Sequence, residues 1–253
     1  QALQWAGTDL ASPMACDWLL KWPTLEAAQR ARAQTMRSFF YARKCRSAAH
    51  IERVIAAIPT AKPLTQDVAV LAVQPLTVQM LAKQLQLLNK SITAYEQQIQ
   101  ILFRQHPDAF LFESLPGAGK TLAPRLLCAF GSDRARYPSA QNMQTYAGVA
   151  PVIERSGKSC WTHWRWNCPK FLRQTFHEYA KVSILYSTWA RAYYDQQKQR
   201  GKRHNAAIRS LAFKWIRIIH RCWQTRTLYD ESLYLQTLAQ RGSPLCALIA
   251  EPA

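Results

Sequence analysis

The clearest periodicity in the chain lies in its first half. Val78, Leu81, Leu85, Leu88, Ile92, Tyr95, Ile99 and Leu102 recur at alternating steps of three and four. That is an unbroken heptad seam, the mark of a helix that pairs along a narrow stripe. Pro75 fits at the start of such a helix and not inside it. The seam pairs either with another chain or with a helix of its own. Few other residues here could cover so narrow a stripe, which favours another chain. Upstream, residues 25–46 read as helix behind a Thr24 cap, and residues 48–58 as a second helix ending before Pro59. Arg30, Arg32, Arg37, Arg43, Lys44 and Arg46 run along the first, as nucleic-acid contacts or as an ordinary solvated face. Residues 58–63 form a proline-bounded linker.

The second half alternates helical and extended patterns. Residues 113–131, ESLPGAGKTLAPRLLCAFG, contain a GAGKT that invites a phosphate-loop reading. That motif needs a glycine where this chain has Ser114, and a strand before it, so ATP binding is excluded. A Pro-Gly-x-Gly turn between two short helices suits a helix-hairpin-helix. There Gly117, Gly119 and Lys120 would grip one DNA phosphate through backbone amides, without reading sequence. Ser139 caps a helix over 140–147 that stops at Gly148. Residues 149–154 and 159–166 read as two short strands joined by Arg155-Ser156-Gly157-Lys158. Pro169 opens a helix over 170–199 with an inner stripe of Phe171, Thr175, Tyr179, Val182 and Tyr186. Gly201 breaks the pattern. A last strong helix, 205–224, buries Ile208, Leu211, Trp215, Ile219 and Cys222. It presents Lys214, Arg217 and Arg221 on another side, to phosphate or to water. The expected fold is mainly α with a small β-hairpin: a helical N-terminal module, a long coiled-coil helix and a C-terminal domain containing a helix-hairpin-helix.

Composition sharpens this picture through charge. The 253 residues carry 33 Lys and Arg against 15 Asp and Glu, a net of +18. The excess is concentrated: residues 155–226 hold sixteen Lys and Arg against Glu178 and Asp195. Such a block attracts polyphosphate and releases its counterions on binding. A membrane surface is the weaker rival, since the basic segment is rich in aromatics of the buried type and forms no short juxtamembrane cluster. No apolar run approaches the ~20 residues of a membrane span, and no secretion signal is visible. Seven scattered cysteines suit reduced thiols in a cytoplasm. Cys160, His163 and Cys168, with His177, hint at zinc, but without the paired spacing of a structural zinc site. The chain opens on Gln1 and reads as a fragment.

The densest chemistry lies in GVAPVIERSGKSCWTHWRWNCPKFLR, residues 148–173. Trp161, Trp164 and Trp166 interleave with His163 and Arg165, and Lys170 and Arg173 follow. Cations with planar aromatics suit a nucleic-acid strand. Ser156, between Arg155 and Lys158, is either part of an ordinary hairpin turn or a nucleophile for phosphorus.

The segments LPGAGKTLAPRLLCAFG, YAGVAPVIERSGKS, WRWNCPKFLRQTF and AFKWIRIIHRCW, in that order, resemble the C-terminal transposase domain of the IS-110 insertion-sequence family, the last of them its IS-1111 branch. The resemblance covers residues 67–238. It implies a DNA recombinase guided by an element-encoded bridge RNA, with subunits joined through the coiled coil. It places the serine nucleophile on Ser156, with Ser159 as the fallback. Arg155, Lys158 and Arg165 would then stabilise the phosphoryl transition state, with His163 a base or a structural residue. The family also carries an N-terminal RuvC-like domain whose Asp-Glu-Asp-Asp tetrad binds a divalent metal, taken as magnesium. The acids of this chain are scattered singly, so it reads as the part that follows that domain, with no metal or other cofactor of its own. The expected divisions are a connector and helical module (1–63), the coiled coil (64–106), the transposase C-terminal domain (107–240) and a tail (241–253).

Overall fold

The computed structural model describes residues 5–7 and 9–250. The last three residues of the expected tail lie outside them. The fold is mainly α with one small antiparallel hairpin. The chain divides into two compact units, residues 1–97 and 98–253, with the division inside one long helix.

The first unit contains α1 (Pro13–Lys21), α2 (Leu25–Gln29), α3 (Ala33–Ala42) and α4 (Ala48–Thr60). Trp18 is its hub, with the rings of Trp5, Trp22, Phe39 and Phe40 within 6.3 Å. The helix expected over 25–46 is two helices, broken at residues 30–32. The cap on Thr24 is made, its Oγ1 accepting from Ala27 N at 3.0 Å. Helix α4 runs through Pro59 to Thr60 instead of stopping before it, so the expected linker starts later. The reason is a side chain: the Gln29 amide donates to the carbonyls of Ile58, Pro59 and Ala61, the acceptors a helix end leaves open. Arg30, Arg37 and Arg43 are each paired with a carboxylate, on Glu26, Glu52 and Asp17. Those three serve as an ordinary salted surface.

The long helix is α5 (Val68–Gln105). It begins upstream of Pro75, contrary to expectation, because Asp67 caps it: Oδ1 accepts from Ala69 N at 2.8 Å and Val70 N at 3.2 Å. A local cap outweighs the one ladder bond that proline forfeits. The seam is partly covered at Val78 and Leu85, where Gln86 and Asn89 beside it donate to Asp17 and Ala11, and is open further along. Leu88, Ile92, Tyr95, Ile99 and Leu102 are all roughly half exposed or more. By length and composition this helix could also cross a bilayer, with a mean hydropathy of 1.3 over 18 residues. It escapes a search for apolar runs because Gln74, Gln79, Lys83 and Gln84 interrupt it.

The second unit holds α6 (Ala109–Glu113), α7 (Gly119–Phe130), α8 (Ala140–Tyr146), β1 (Val152–Ser156), β2 (Ser159–His163), α9 (Lys170–Ser183), α10 (Thr188–Gln199), α11 (His204–Thr225), α12 (Glu231–Gln240) and α13 (Leu245–Ala250). Helix α11 is central and packs on α8, α9 and α10. Trp189, Trp215 and Trp223 are fully buried there, and each indole N–H is satisfied, by Tyr229 OH, Ser183 Oγ and Gly131 O at 2.7–2.8 Å. The helix expected over 170–199 is interrupted at residues 184–187, where Ser187 caps α10. The break also shifts the inner stripe. Leu172, Thr175, Phe176 and Tyr179 are buried, whereas Phe171 is 49% and Tyr186 64% exposed.

Gly148, at the end of the α8 turn, has φ +68°, and a Cβ there would lie 2.3 Å from Cys168 Sγ. Gly148 precedes the hairpin and Cys168 follows it, so this contact clamps the hairpin base. Gly148→Ala adds both left-handed strain and a clash. Scanning calorimetry should show the unfolding midpoint lowered by about 5–10 °C; an unchanged midpoint would mean that the base is not clamped.

Candidate nucleic-acid interface

The hairpin is shorter at its base and longer at its tip than the sequence suggests. The strands reach Ser156 and resume at Ser159, leaving a two-residue turn of Gly157 and Lys158. Gly157 has φ +56° and Lys158 has no positive φ, the pattern of a type II′ turn with glycine in its first position. Ser156 is exposed, and a Cβ on Gly157 would meet nothing within 4 Å, so the tip projects into open space. Nearly every strand residue is exposed on both faces of this ribbon.

Pairing register decides which groups accompany Ser156. Residues opposite one another share a face, and alternate residues switch. Ser156 therefore shares its face with Ser159, Glu154, Trp161 and His163, while Arg155, Cys160 and Thr162 project from the other. The Glu154 carboxylate takes the His163 ring at 2.8 Å and the Trp161 N–H at 3.1 Å. His163 lies four residues from Ser159, about 13 Å along the strand. It is engaged by Glu154 and is out of reach of Ser156 as a base. Arg155 and Lys158 thus divide between the far face and the turn, and the expected row of cations around the serine is not gathered there.

The cations collect elsewhere in this unit. Trp164, in the loop after β2, lies under two guanidiniums, with Arg173 at 5.0 Å and Arg209 at 4.3 Å from its ring centre. The His177 ring is 5.9 Å away. Burial, then the charges of Arg209 and Arg173, push His177 down to about 4, so its ring is neutral at pH 7. Burial likewise lowers Arg209. Arg165 joins through its carbonyl, which accepts from Arg173 Nη1, while its own Nε is buried without a partner. Among the ion pairs of the described residues none involves Arg165, Arg173 or Arg209. Sequence reading singled out Arg165 and Arg173 but missed Arg209, a single cation on a helix whose apolar spacing drew attention to its buried side.

A second basic feature is a groove of about 610 Å³ between α11 and α12. Lys214, Arg217 and Arg221 line it together with Arg241, Tyr229 and Tyr234. Its one lining acid among the described residues, Asp230, is occupied in capping Leu233 N. Lys214 lies 4.2 Å over the Tyr193 ring, and burial, with the charge of Arg217, lowers its pKa. The three cations picked from one helix face do meet in one concavity.

The glycines of the α6–α7 turn have unlike roles. A Cβ on Gly117 would lie 2.6 Å from the Tyr186 ring, so Gly117 is needed for packing. Gly119 has φ +53° and open space around it, and Lys120 beside it is exposed at the start of α7. Lys170, at the start of α9, is also exposed. All seven cysteines are free thiols. Cys160 and His163 project from opposite hairpin faces, which dismantles the zinc arrangement. Among the described residues no group of three or more His, Cys, Asp or Glu could hold a metal ion.

Residues 109–195 match the model of the transposase IS116/IS110/IS902 family. The transposase attributed to the IS117 mini-circle of Streptomyces coelicolor is 31% identical over 145 residues, which is 57% of this chain and 35% of that relative. A 42 kDa protein of insertion element IS900 from Mycobacterium paratuberculosis is 31% identical over 153 residues, 60% of this chain and 38% of its own. The pilin gene-inverting protein of Moraxella bovis is 40% identical over 75 residues, 28% of this chain and 23% of its own. The chain spans little more than a third of the length of the first two. The similarity to IS110-type transposases lies in its C-terminal part.

Proposed function

We infer that this chain is part of a DNA transposase or recombinase, in which it binds nucleic acid and presents Ser156 as the nucleophile for strand cleavage and rejoining. The observation that carries this reading is the exposed Ser156 at the tip of a projecting hairpin, inside the segment that matches a transposase family. In the first step Ser156 Oγ bonds to the phosphorus of a DNA strand and a deoxyribose oxygen leaves with the electron pair. The hydroxyl proton passes to a base, and a phosphodiester remains between serine and DNA. Attack by a DNA hydroxyl on that link restores the strand and releases Oγ, conserving the bond for rejoining. A serine hydroxyl needs help to act this way, and the residues sharing its face include no Lys or Arg. Among the described residues no cluster fits a divalent-metal site either, so no step here runs through one.

The hairpin's own construction supports a shared site. A two-stranded ribbon exposed on both faces is marginal in isolation, and it gains order when a strand or a neighbouring subunit settles on it. The open seam of α5 is where we place the contact between copies, since paired Leu and Ile at heptad spacing are what another such helix covers. Its internal Gln and Lys residues favour that use over a membrane span. The groove lined by Lys214, Arg217 and Arg221 is the proposed path for a DNA backbone, with an RNA guide as the second polyanion.

The test is a DNA substrate whose leaving oxygen is replaced by sulfur, which traps the covalent intermediate. Incubated with the complete recombinase, it should give a protein–DNA band that survives denaturing electrophoresis. A protein that binds the same DNA without such a band would be a nucleic-acid-binding and oligomerisation module whose Ser-Gly turn is only structural.

A further inference from the structure

Several arginines of this chain have a simple account. Arg30, Arg37, Arg43, Arg125 and Arg134 each meet a carboxylate. The Trp164 cluster does not. Arg173 and Arg209 come from two different helices, α9 and α11, and are held on one indole with no acid to neutralise them. Their distances to that ring place the two guanidinium carbons no more than about 9 Å apart. A guanidinium partly withdrawn from water with no acid to pair it, as Arg209 is, costs stability unless an anion joins it. Natural folds keep such conflicts mainly at functional sites.

Trp164 is committed to positioning the guanidiniums. Two residues on, within about 7 Å of chain, stands Trp166. It is 82% exposed. Among the described residues no ring contact or hydrogen bond holds it, unlike the paired indole of Trp161 or the buried ones of α10 and α11. A large aromatic left in water beside paired cations has the composition of a single-strand site, where phosphate meets the cations and the base stacks on the ring. The geometry points to a subsite for one unpaired nucleotide, its phosphate between Arg173 and Arg209 and its base on Trp166. It rests on the reading of the chain as a nucleic-acid-acting protein and adds a strand-separated ligand to it. Duplex DNA, with its bases stacked inside, would use the arginines alone.

The experiment measures binding of the full chain, carrying Ser156→Ala to prevent cleavage, to three labelled probes: a 20-nucleotide RNA strand, the matching DNA strand, and that DNA as a duplex. Trp166→Ala should weaken single-strand binding about tenfold and leave duplex binding within about twofold. Arg209→Gln should weaken all three, while Arg209→Lys restores most of the affinity. Because Arg209 is partly buried without an acid to pair it, Arg209→Gln should leave the unfolding midpoint unchanged or raise it. Tighter binding of the RNA strand would assign the subsite to an RNA, and of the DNA strand to a separated DNA strand. Equal losses on single strand and duplex with Trp166→Ala, or none on either, would overturn the proposal. So would a midpoint lowered by Arg209→Gln with affinity unchanged, since that is the behaviour of a packing residue. Absence of the covalent band from the trap with the wild-type recombinase, with this binding pattern intact, would sink the nucleophile reading and leave the subsite standing.

Discussion

Ser156→Ala in the complete recombinase is expected to reduce strand cleavage and recombination by at least about a thousandfold, with DNA affinity within about twofold of wild type. The asymmetry follows from where the side chain sits. Ser156 ends a strand at an exposed tip and packs on nothing, so its hydroxyl contributes little to folding. Nor does it belong to either group of cations, so binding does not depend on it. Ser159→Ala is the paired control. Ser159 faces the same side directly across the ladder, and its removal should leave most of the activity. Quantitative recombination of a plasmid substrate, beside gel-shift affinity for the same DNA, checks both. Residual activity in Ser156→Ala together with loss in Ser159→Ala would move the nucleophile one rung across the hairpin.

Asp108→Asn is expected to be the most destabilising single change in the second unit, by about 3–5 kcal/mol. Asp108 is 2% exposed, and its carboxylate joins two separate arginines. It opens α6, accepts from Arg134 Nη1 at 2.6 Å, and faces Arg226 Nη2 at 3.3 Å beyond the end of α11. Arg134 in turn lies 5.0 Å over the Trp223 ring and donates to the Trp223 carbonyl. Neutralising Asp108 leaves the largely buried Arg134 guanidinium facing an amide, an uncompensated charge, while the exposed Arg226 keeps its water. The hydrogen bond from Arg134 holds the Asp108 carboxyl below its ordinary pKa. A carboxylate depressed in this way stabilises the fold fully above its unfolded pKa, near 3.9. It loses that contribution as pH falls through the folded value. Urea unfolding should therefore show wild type losing stability below about pH 4, with Asp108→Asn lacking that component. Equal stability of the two proteins at pH 7 would contradict the account.

Much of this architecture was legible because periodicity and punctuation agree. The α11 stripe of Ile208, Leu211, Trp215 and Ile219 is buried as its spacing implies. The hairpin followed from a Ser-Gly-Lys-Ser turn between extended runs. What escaped has one physical character: the winning interaction is local in space but carried by a single polar side chain. Gln29 extends α4 through a proline, Asp67 starts α5 ahead of another, and Ser187 splits a helix that apolar spacing alone would continue. The site misleads for a related reason. Arg155, Ser156 and Lys158 are neighbours in sequence, yet a pleat separates adjacent residues onto opposite faces. Arg173 and Arg209, 36 positions apart, converge on one indole that no local pattern could reveal.

The central claim is that one hydroxyl at the hairpin tip becomes bonded to DNA. Trapping the intermediate, digesting protein and DNA, and mapping the residual nucleotide by peptide mass spectrometry tests it directly. The nucleotide should be found on the peptide that contains Ser156, fragmenting to that residue, and should vanish in Ser156→Ala. A nucleotide located on Ser159 or any other side chain, or a recombinase that rejoins strands with no adduct at all, would contradict it.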